Sequence, residues 1–286
     1  MIVSGSASQS LAAALAAELS EPLAAVEYDR FPDGELLAAA PDLADADRAV
    51  IVAATASSDA HVELLLLQDA AREAGVGEIT TVLSYMGYAR QDEAFGAGQP
   101  VSSRAVARAI GTGTDRVLVV NPHEEAVCEF FGVPADSVDA AGVLADPLPD
   151  DLVDPLFLAP DDGAIDLAGT VRDAYGAGET DFFEKVRRSG TEVEIAPSDA
   201  DVEGRDVVIA DDIVATGSTM AGSIAVLDDR GTDRVFVSCV HPVFVGNART
   251  RLARAGVEAV YGTDTLERAE TATSVAPVLA DVLSEA

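Results

Sequence analysis

The chain has 286 residues, 50 of them acidic and 18 Lys or Arg, for a formal net charge of −32 at pH 7. Such a surface repels nucleic acid and anionic lipid, which argues against both as partners, and no apolar run approaches the ~20 residues that span a bilayer. Hydrophobic residues make up 49% of the chain, so real cores can form, and the length suits two domains of about 100–150 residues each.

Short apolar runs alternate with longer helical segments, the rhythm of an α/β protein with mainly parallel sheets flanked by helices. In chain order the first half predicts strands at Ile2-Val3, Ala49–Ala53, Ile79–Leu83 and Arg116–Val120. Helices are expected from Ser8 to Leu19, Ala60 to Ala74 and Ser102 to Gly111. The Leu64–Leu67 run covers more than one helix face and predicts packing against both the sheet and a neighbour. The second half predicts strands at Leu156–Ala159, Val207–Ala210, Arg234–Cys239 and Val257–Tyr261. Its helices are expected at Asp162–Tyr175, Thr219–Arg230 and Ala248–Ala255. The acidic, Pro-bearing stretch from Ala145 to Pro155 is the most linker-like, but the first sheet can end near Val138. The expected boundary is near 140, giving domains 1–140 and 141–286.

The N-terminus, Met1-Ile2-Val3-Ser4, lacks a charged region followed by a long apolar one, so no secretory signal is expected. Cys128 and Cys239 have no partners at metal-ligand spacing, which suits reduced thiols and a cytoplasmic setting. A folded chain covered in carboxylates and nearly free of Lys fits adaptation to molar salt. The Debye length there is only ~3 Å, so self-repulsion is screened.

The most informative run is Arg205–Thr219. Val207–Ala210 reads as one buried strand, followed by Asp211 and Asp212 and a small, hydroxyl-rich turn into a helix. Ligands of open α/β sheets bind at the carboxyl ends of strands, and helix N-termini favour phosphate. Ala215, Thr216, Gly217, Ser218 and Thr219 can offer N–H groups and hydroxyls to a phosphate. Asp211 and Asp212 would repel it and suit sugar hydroxyls or a cation instead. The turn lacks the Gly-Lys-Ser/Thr ending of a nucleotide P-loop. A phosphorylated sugar is the expected ligand.

Other stretches are more ambiguous alone. Pro32-Asp33-Gly34 is a turn that needs no ligand to explain it. Arg90 can fork onto a phosphate and Gln91 can bond a base or ribose, or both can tie down a loop. His123 and Asp161 follow predicted strands, where an imidazole and a carboxylate can share a divalent ion, although His is uncommon for Mg²⁺. His61 and His241 read as structural. Lys185 is the only lysine of the chain, two residues before Arg187. It is either a chance survivor on a surface hairpin turning at Arg188-Ser189-Gly190, or part of a lid over transferring phosphates.

The run Asp211–Thr219 resembles the phosphoribosyl-pyrophosphate-binding motif of type I phosphoribosyltransferases. Taken with Phe31–Glu35, Tyr85–Asp92, Gly98–Ser102, Asn121–His123, Pro160–Gly163, Lys185–Arg187 and His241–Phe244, the chain resembles the ribose-phosphate pyrophosphokinase family over nearly its whole length. The resemblance implies two tandem type I phosphoribosyltransferase-like domains, and transfer of the diphosphoryl group of MgATP to the C1 hydroxyl of ribose 5-phosphate. It also implies a homo-oligomer in which Asp33, Gly34 and Glu35 reach the adenine of a neighbouring subunit. By the same likeness, Arg90 and Gln91 bind ATP, and His123 and Asp161 hold Mg²⁺. Lys185 and Arg187 act on a catalytic loop, while Arg187, Asp211, Asp212 and the turn Ala215–Thr219 hold ribose 5-phosphate. Asn121, Glu93, Ala215 and Ser218 depart from the family's usual residues. Backbone N–H donation at Ala215 and Ser218 survives the change.

Overall fold

In a computed structural model, which describes residues 1–187, 193–197 and 200–285, the chain divides into two compact units. The first comprises Met1–Asp139, Asp264–Glu267 and Ser274–Ala286, and the second comprises Ala140–Thr263 and Arg268–Thr273. The break after Asp139 is accompanied by a return of the chain, so the second unit stops short of 286.

In the first unit, β1 (Ile2–Ser4), β4 (Arg48–Ala54), β5 (Glu78–Tyr85), β6 (Arg116–Val120) and β7 (Ala135–Val138) form a parallel sheet in that order. The inner strands are apolar on both faces because helices cover both. Those helices are α1 (Gln9–Leu19), α2 (Ser58–Glu73) and α3 (Ser102–Gly111). In α2, Leu64 and Leu67 are buried while Leu65 and Leu66 are only partly so. The antiparallel pair β2 (Glu27–Arg30) and β3 (Leu36–Ala39) forms a separate ribbon. β2, a polar and mostly exposed Glu-Tyr-Asp-Arg, does not announce itself in sequence, whereas β3 is a short apolar Leu-Leu-Ala-Ala with Ala38 buried.

The second unit contains β8 (Leu156–Ala159), α4 (Ile165–Tyr175), β9 (Glu179–Arg187), β10 (Val193–Pro197), β11 (Asp206–Ile213), α5 (Ser218–Asp229), β12 (Arg234–His241), α6 (Ala248–Arg254), β13 (Ala259–Thr263) and β14 (Thr271–Thr273). Its sheet runs β10-β9-β8-β11-β12-β13-β14 and is parallel except for the antiparallel β9–β10 pair. The core lies on fully buried β8, β11 and β12 residues such as Leu158, Ile209 and Val237, with Ile224 and Leu227 of α5 against them. At the foot of β11, fully buried Asp206 takes Nε and Nη2 of Arg234 at 3.0 and 2.6 Å and the Val153 N–H at 2.6 Å.

Several boundaries differ from expectation. β11 continues past Ala210 through both aspartates to Ile213, because Asp211 and Ile213 still pair with Cys239 and His241 of β12. The segment predicted as helix from Asp162 opens with a 3₁₀ turn, Asp162–Ala164, and becomes α-helical at Ile165. After β14, α7 (Ala276–Ser284) rejoins the first unit and packs on α1. No helix among the described residues is long and apolar enough to cross a membrane.

Candidate active site

Across the second sheet the chain steps outward from β8 through β9 to β10, then returns to β11 on the other side of β8 and steps outward through β12 and β13. That reversal opens a crevice beyond the carboxyl ends of β8 and β11, where open α/β sheets bind ligands. The first sheet advances in one direction, with no such reversal among the described strands.

Asp161 follows β8, while Asp211 and Asp212 lie near the end of β11. Since Leu158 pairs with Ile209 in parallel register, all three carboxylates share one end of the sheet. The Asp212 N–H donates to Asp211 Oδ1 at 3.0 Å, and the Ile213 N–H donates to Asp212 Oδ1 at 2.7 Å. Burial, and then the charges of Asp212 and Asp161, push the Asp211 carboxyl well above the usual carboxylate range. Excess negative charge at oxygen donors fits a hard divalent cation that keeps several waters. Among the described residues no group of three or more His, Cys, Asp or Glu side chains is arranged to hold a metal. The carboxylates also fit the hydroxyls of a sugar.

The turn after β11 has features that suit an anion. Gly217 has φ +67°, a left-handed conformation, and a Cβ there would come within 3.3 Å of Leu252 Cγ and 3.4 Å of the Ala248 carbonyl oxygen. No side chain caps α5 at Gly217. A helix does not satisfy its first-turn N–H groups internally; that of Ser218 makes a long bond of 3.4 Å to Thr216 Oγ1, and those of Thr219 and Met220 can face an incoming ligand. Thr216 Oγ1 donates to Ser218 Oγ at 3.1 Å, and Thr216, Ser218 and Thr219 are exposed. The sequence-predicted residues Asp211, Asp212 and Ala215–Thr219 thus form one continuous surface, with Asp161 beside it.

Lys185 and Arg187 have their backbone in β9, with Lys185 opposite Ile195 and Arg187 opposite Val193 in β10. Their side chains, and the proposed turn at Arg188-Ser189-Gly190, lie outside the described residues.

In the first unit, Asp33 and Gly34 sit in the turn joining β2 to β3, and Glu35 lies just before β3; all three are exposed. The turn closes on itself: the Phe31 N–H donates to the Glu35 carbonyl at 2.9 Å, and the Gly34 N–H to the Phe31 carbonyl at 2.8 Å. Arg30 crosses to Asp59 at the start of α2 at 2.6 Å, and Phe31 is left 50% exposed. Arg90 and Gln91 follow β5 on a clamped loop. The Gly87 N–H donates to Thr55 Oγ1 at 3.0 Å, and Tyr88, with φ +65°, contacts the His61 ring at a centroid distance of 5.4 Å. The Ser103 N–H and Oγ both donate to the Gln91 carbonyl, and Ser102 Oγ donates to Gln91 Oε1. Among the described residues Gln91 Nε2 and the exposed Arg90 guanidinium have no hydrogen-bond partner and can face a ligand. His61 is buried, and burial pushes its imidazole below the usual value, in keeping with a structural role. Nothing in the local sequence marks Thr55 or Ser103 as supports of this loop. They meet it only because β4, β5 and α3 are packed together.

His123 is exposed, just beyond the carboxyl end of β6. Next to it Asn121, with φ +34°, donates from Nδ2 to Asp139 Oδ1 at 2.8 Å. His123 belongs to the first unit and Asp161 to the second.

Parallel sheets with an Asp-Asp strand end, a hydroxyl-rich turn and a helix N-terminus define a phosphoribosyltransferase-type α/β protein. Residues 1–113 match the N-terminal domain of ribose phosphate pyrophosphokinase, and residues 141–264 match the phosphoribosyl transferase domain. The chain is 65% identical to a ribose-phosphate pyrophosphokinase of Halobacterium salinarum, over 99% of this chain and all of that one. It is 43% identical to the Methanosarcina mazei ribose-phosphate pyrophosphokinase over 99% of this chain and 95% of the relative. The crystal structure of phosphoribosylpyrophosphate synthetase from Mycobacterium smegmatis superposes with a TM-score of 0.84 at 27% identity, covering 99% and 97% of the two chains. The chain belongs to the ribose-phosphate pyrophosphokinase family.

Proposed function

We propose that the chain transfers the diphosphoryl group of MgATP to the C1 hydroxyl of ribose 5-phosphate, giving 5-phosphoribosyl 1-pyrophosphate and AMP. The observation that carries this reading is the uncapped turn Ala215–Thr219 beside Asp211 and Asp212 at the strand reversal of the second sheet. It supports a sugar phosphate whose 5-phosphate takes the turn and whose hydroxyls take the carboxylates. The match of residues 1–113 to the pyrophosphokinase N-terminal domain favours this over a base-accepting phosphoribosyltransferase, which has no use for that extra unit.

In this reading Arg90 and Gln91 hold ATP, with Asp33, Gly34 and Glu35 reaching the adenine of a neighbouring subunit in a homo-oligomer. His123 and Asp161 would hold Mg²⁺, which when bound offsets charge on the phosphate oxygens. The C1 oxygen forms its bond to the β-phosphorus as the bridge to the α-phosphate breaks, AMP leaves with the bridging oxygen, and the hydroxyl proton is released. Such transfer depends on positioning and charge neutralisation more than on covalent help. Lys185 and Arg187 answer the charge that builds on the transferring group. The same reading makes the protein a cytoplasmic enzyme of nucleotide biosynthesis adapted to concentrated salt.

The test is AMP release from ATP in concentrated KCl with Mg²⁺, with and without ribose 5-phosphate. AMP formed in step with ribose 5-phosphate supports the reading, and its absence under all salt conditions removes it.

A further inference from the structure

A turn that binds phosphate must hide its own acceptors, since an exposed carbonyl oxygen repels the anion as surely as a carboxylate does. The four carbonyls from Val214 to Gly217 are all engaged. Val214 accepts from the Phe244 N–H at 3.0 Å, Ala215 from the Val245 N–H at 2.9 Å, and Gly217 from the Ala221 N–H at 3.0 Å. Thr216 differs: its carbonyl accepts from Arg251 Nη1 of α6, at 2.7 Å. It is the one carbonyl of the four that accepts from a side chain among the described residues.

The same guanidinium nitrogen also donates to Ser218 Oγ, which receives Thr216 Oγ1 as well. A hydroxyl has two lone pairs and one proton. With both lone pairs taken, Ser218 can offer only its proton to an incoming group. Arg251 therefore removes two acceptors from the surface that a phosphate would meet. Its neighbour Arg249 is committed to Glu270 at 2.5 and 2.9 Å, whereas the contacts of Arg251 among the described residues are both to the turn.

We infer that Arg251 is a positioning residue of the sugar-phosphate turn, which it converts into a surface of hydrogen-bond donors by occupying the Thr216 carbonyl and Ser218 Oγ. The inference rests on the proposed function for the identity of the ligand as ribose 5-phosphate. At ~1 M salt the Debye length is ~3 Å, so a charge acting at a distance contributes little. Direct hydrogen bonds keep their effect, and so the role of Arg251 survives concentrated KCl.

The experiment compares the unaltered protein with Arg251→Met and Arg251→Lys in two KCl concentrations, both high enough to keep the fold. The readouts are the calorimetric Kd for ribose 5-phosphate and the KM values in AMP release. Arg251→Met is expected to raise Kd and KM for ribose 5-phosphate about tenfold at both salt levels. Its kcat should stay within about twofold and its KM for ATP should not move. Arg251→Lys, which keeps a donor but not the fork, should recover part of the loss. In a cycle with Ser218→Ala, the two losses should be less than additive because they share one hydroxyl. This cycle can be run with Arg251→Lys if Arg251→Met does not fold. Unchanged ribose 5-phosphate affinity, equal losses for both substrates, or full additivity with Ser218→Ala would each overturn the inference. An unaltered protein that binds ribose 5-phosphate without releasing AMP would instead sink the proposed reaction, and calorimetry would still judge Arg251.

Discussion

Gly217→Ala puts a number on how firmly the turn Ala215–Thr219 is held. An L-residue in the left-handed region at φ +67° is disfavoured by roughly 1–2 kcal/mol. The new Cβ, 3.3 Å from Leu252 Cγ, adds little more, because that side chain can yield by a few tenths of an ångström. At about 1.4 kcal/mol per tenfold, the strain is worth a factor of roughly 5–30. If the turn escapes it locally, competent turns become rare and KM for ribose 5-phosphate rises by up to that factor, with Tm unchanged. If α6 holds the turn in place, Tm falls by roughly 2–6 °C and KM stays. AMP-release kinetics and thermal unfolding, run side by side in the same KCl buffer, measure how the strain divides. Gly217→Asn, which tolerates this backbone region better, should lose less in both. A Gly217→Ala protein unchanged in KM and in Tm would refute the reasoning.

Gly87→Ala would place a Cβ 2.0 Å from the Thr55 carbonyl oxygen, a main-chain collision that must shift the loop carrying Arg90 and Gln91. KM for ATP is expected to rise at least tenfold while the calorimetric Kd for ribose 5-phosphate holds. Lys185→Ala should lower kcat at least a hundredfold, about 3–4 kcal/mol for a preorganised donor, with circular dichroism unchanged. Burial alone would raise the Asp206 carboxyl, but the Arg234 fork and the Val153 N–H outweigh it and hold the group below its ordinary value. Its contribution is therefore complete above about pH 4 and lost as pH falls toward the lowered value. Asp206→Asn should cost about 3 kcal/mol at neutral pH in denaturant titrations and flatten the acid limb of the stability profile. Desalting should unfold the protein, which circular dichroism against KCl concentration would follow. A signal unchanged in low salt would count against adaptation to brine.

The sequence was most legible where burial is uniform. Val207–Ala210, Leu156–Ala159 and, after Arg116, Val117–Val120 are apolar on both faces, and each proved to lie within a parallel strand. It was least legible where pairing overrides side-chain preference. Asp211 and Asp212 read as loop, yet ladder bonds to β12 carry the strand through them. The polar strand β2 and the three-residue β14 have too little apolar pattern to stand out, and β3, though apolar, is only four residues long. At the site, the Asp-Asp end and the Thr-Gly turn are local and could be read directly. The support given by Arg251 comes from a helix more than 30 residues further on, and that of Thr55 from just beyond the end of β4, so neither has a local mark.

The return of residues 264–267 and 274–286 to the first unit bears on biosynthesis. As the ribosome extrudes the chain, α1 emerges early but must wait for α7, which follows the entire second unit. The nascent amino-terminal half is therefore left unfinished during translation, and a fragment ended near 140 would keep that raw face permanently. Folding of the two halves is thereby knotted together in time, and proteolytic dissection into independent modules is expected to recover the carboxyl-terminal half more readily than the amino-terminal one.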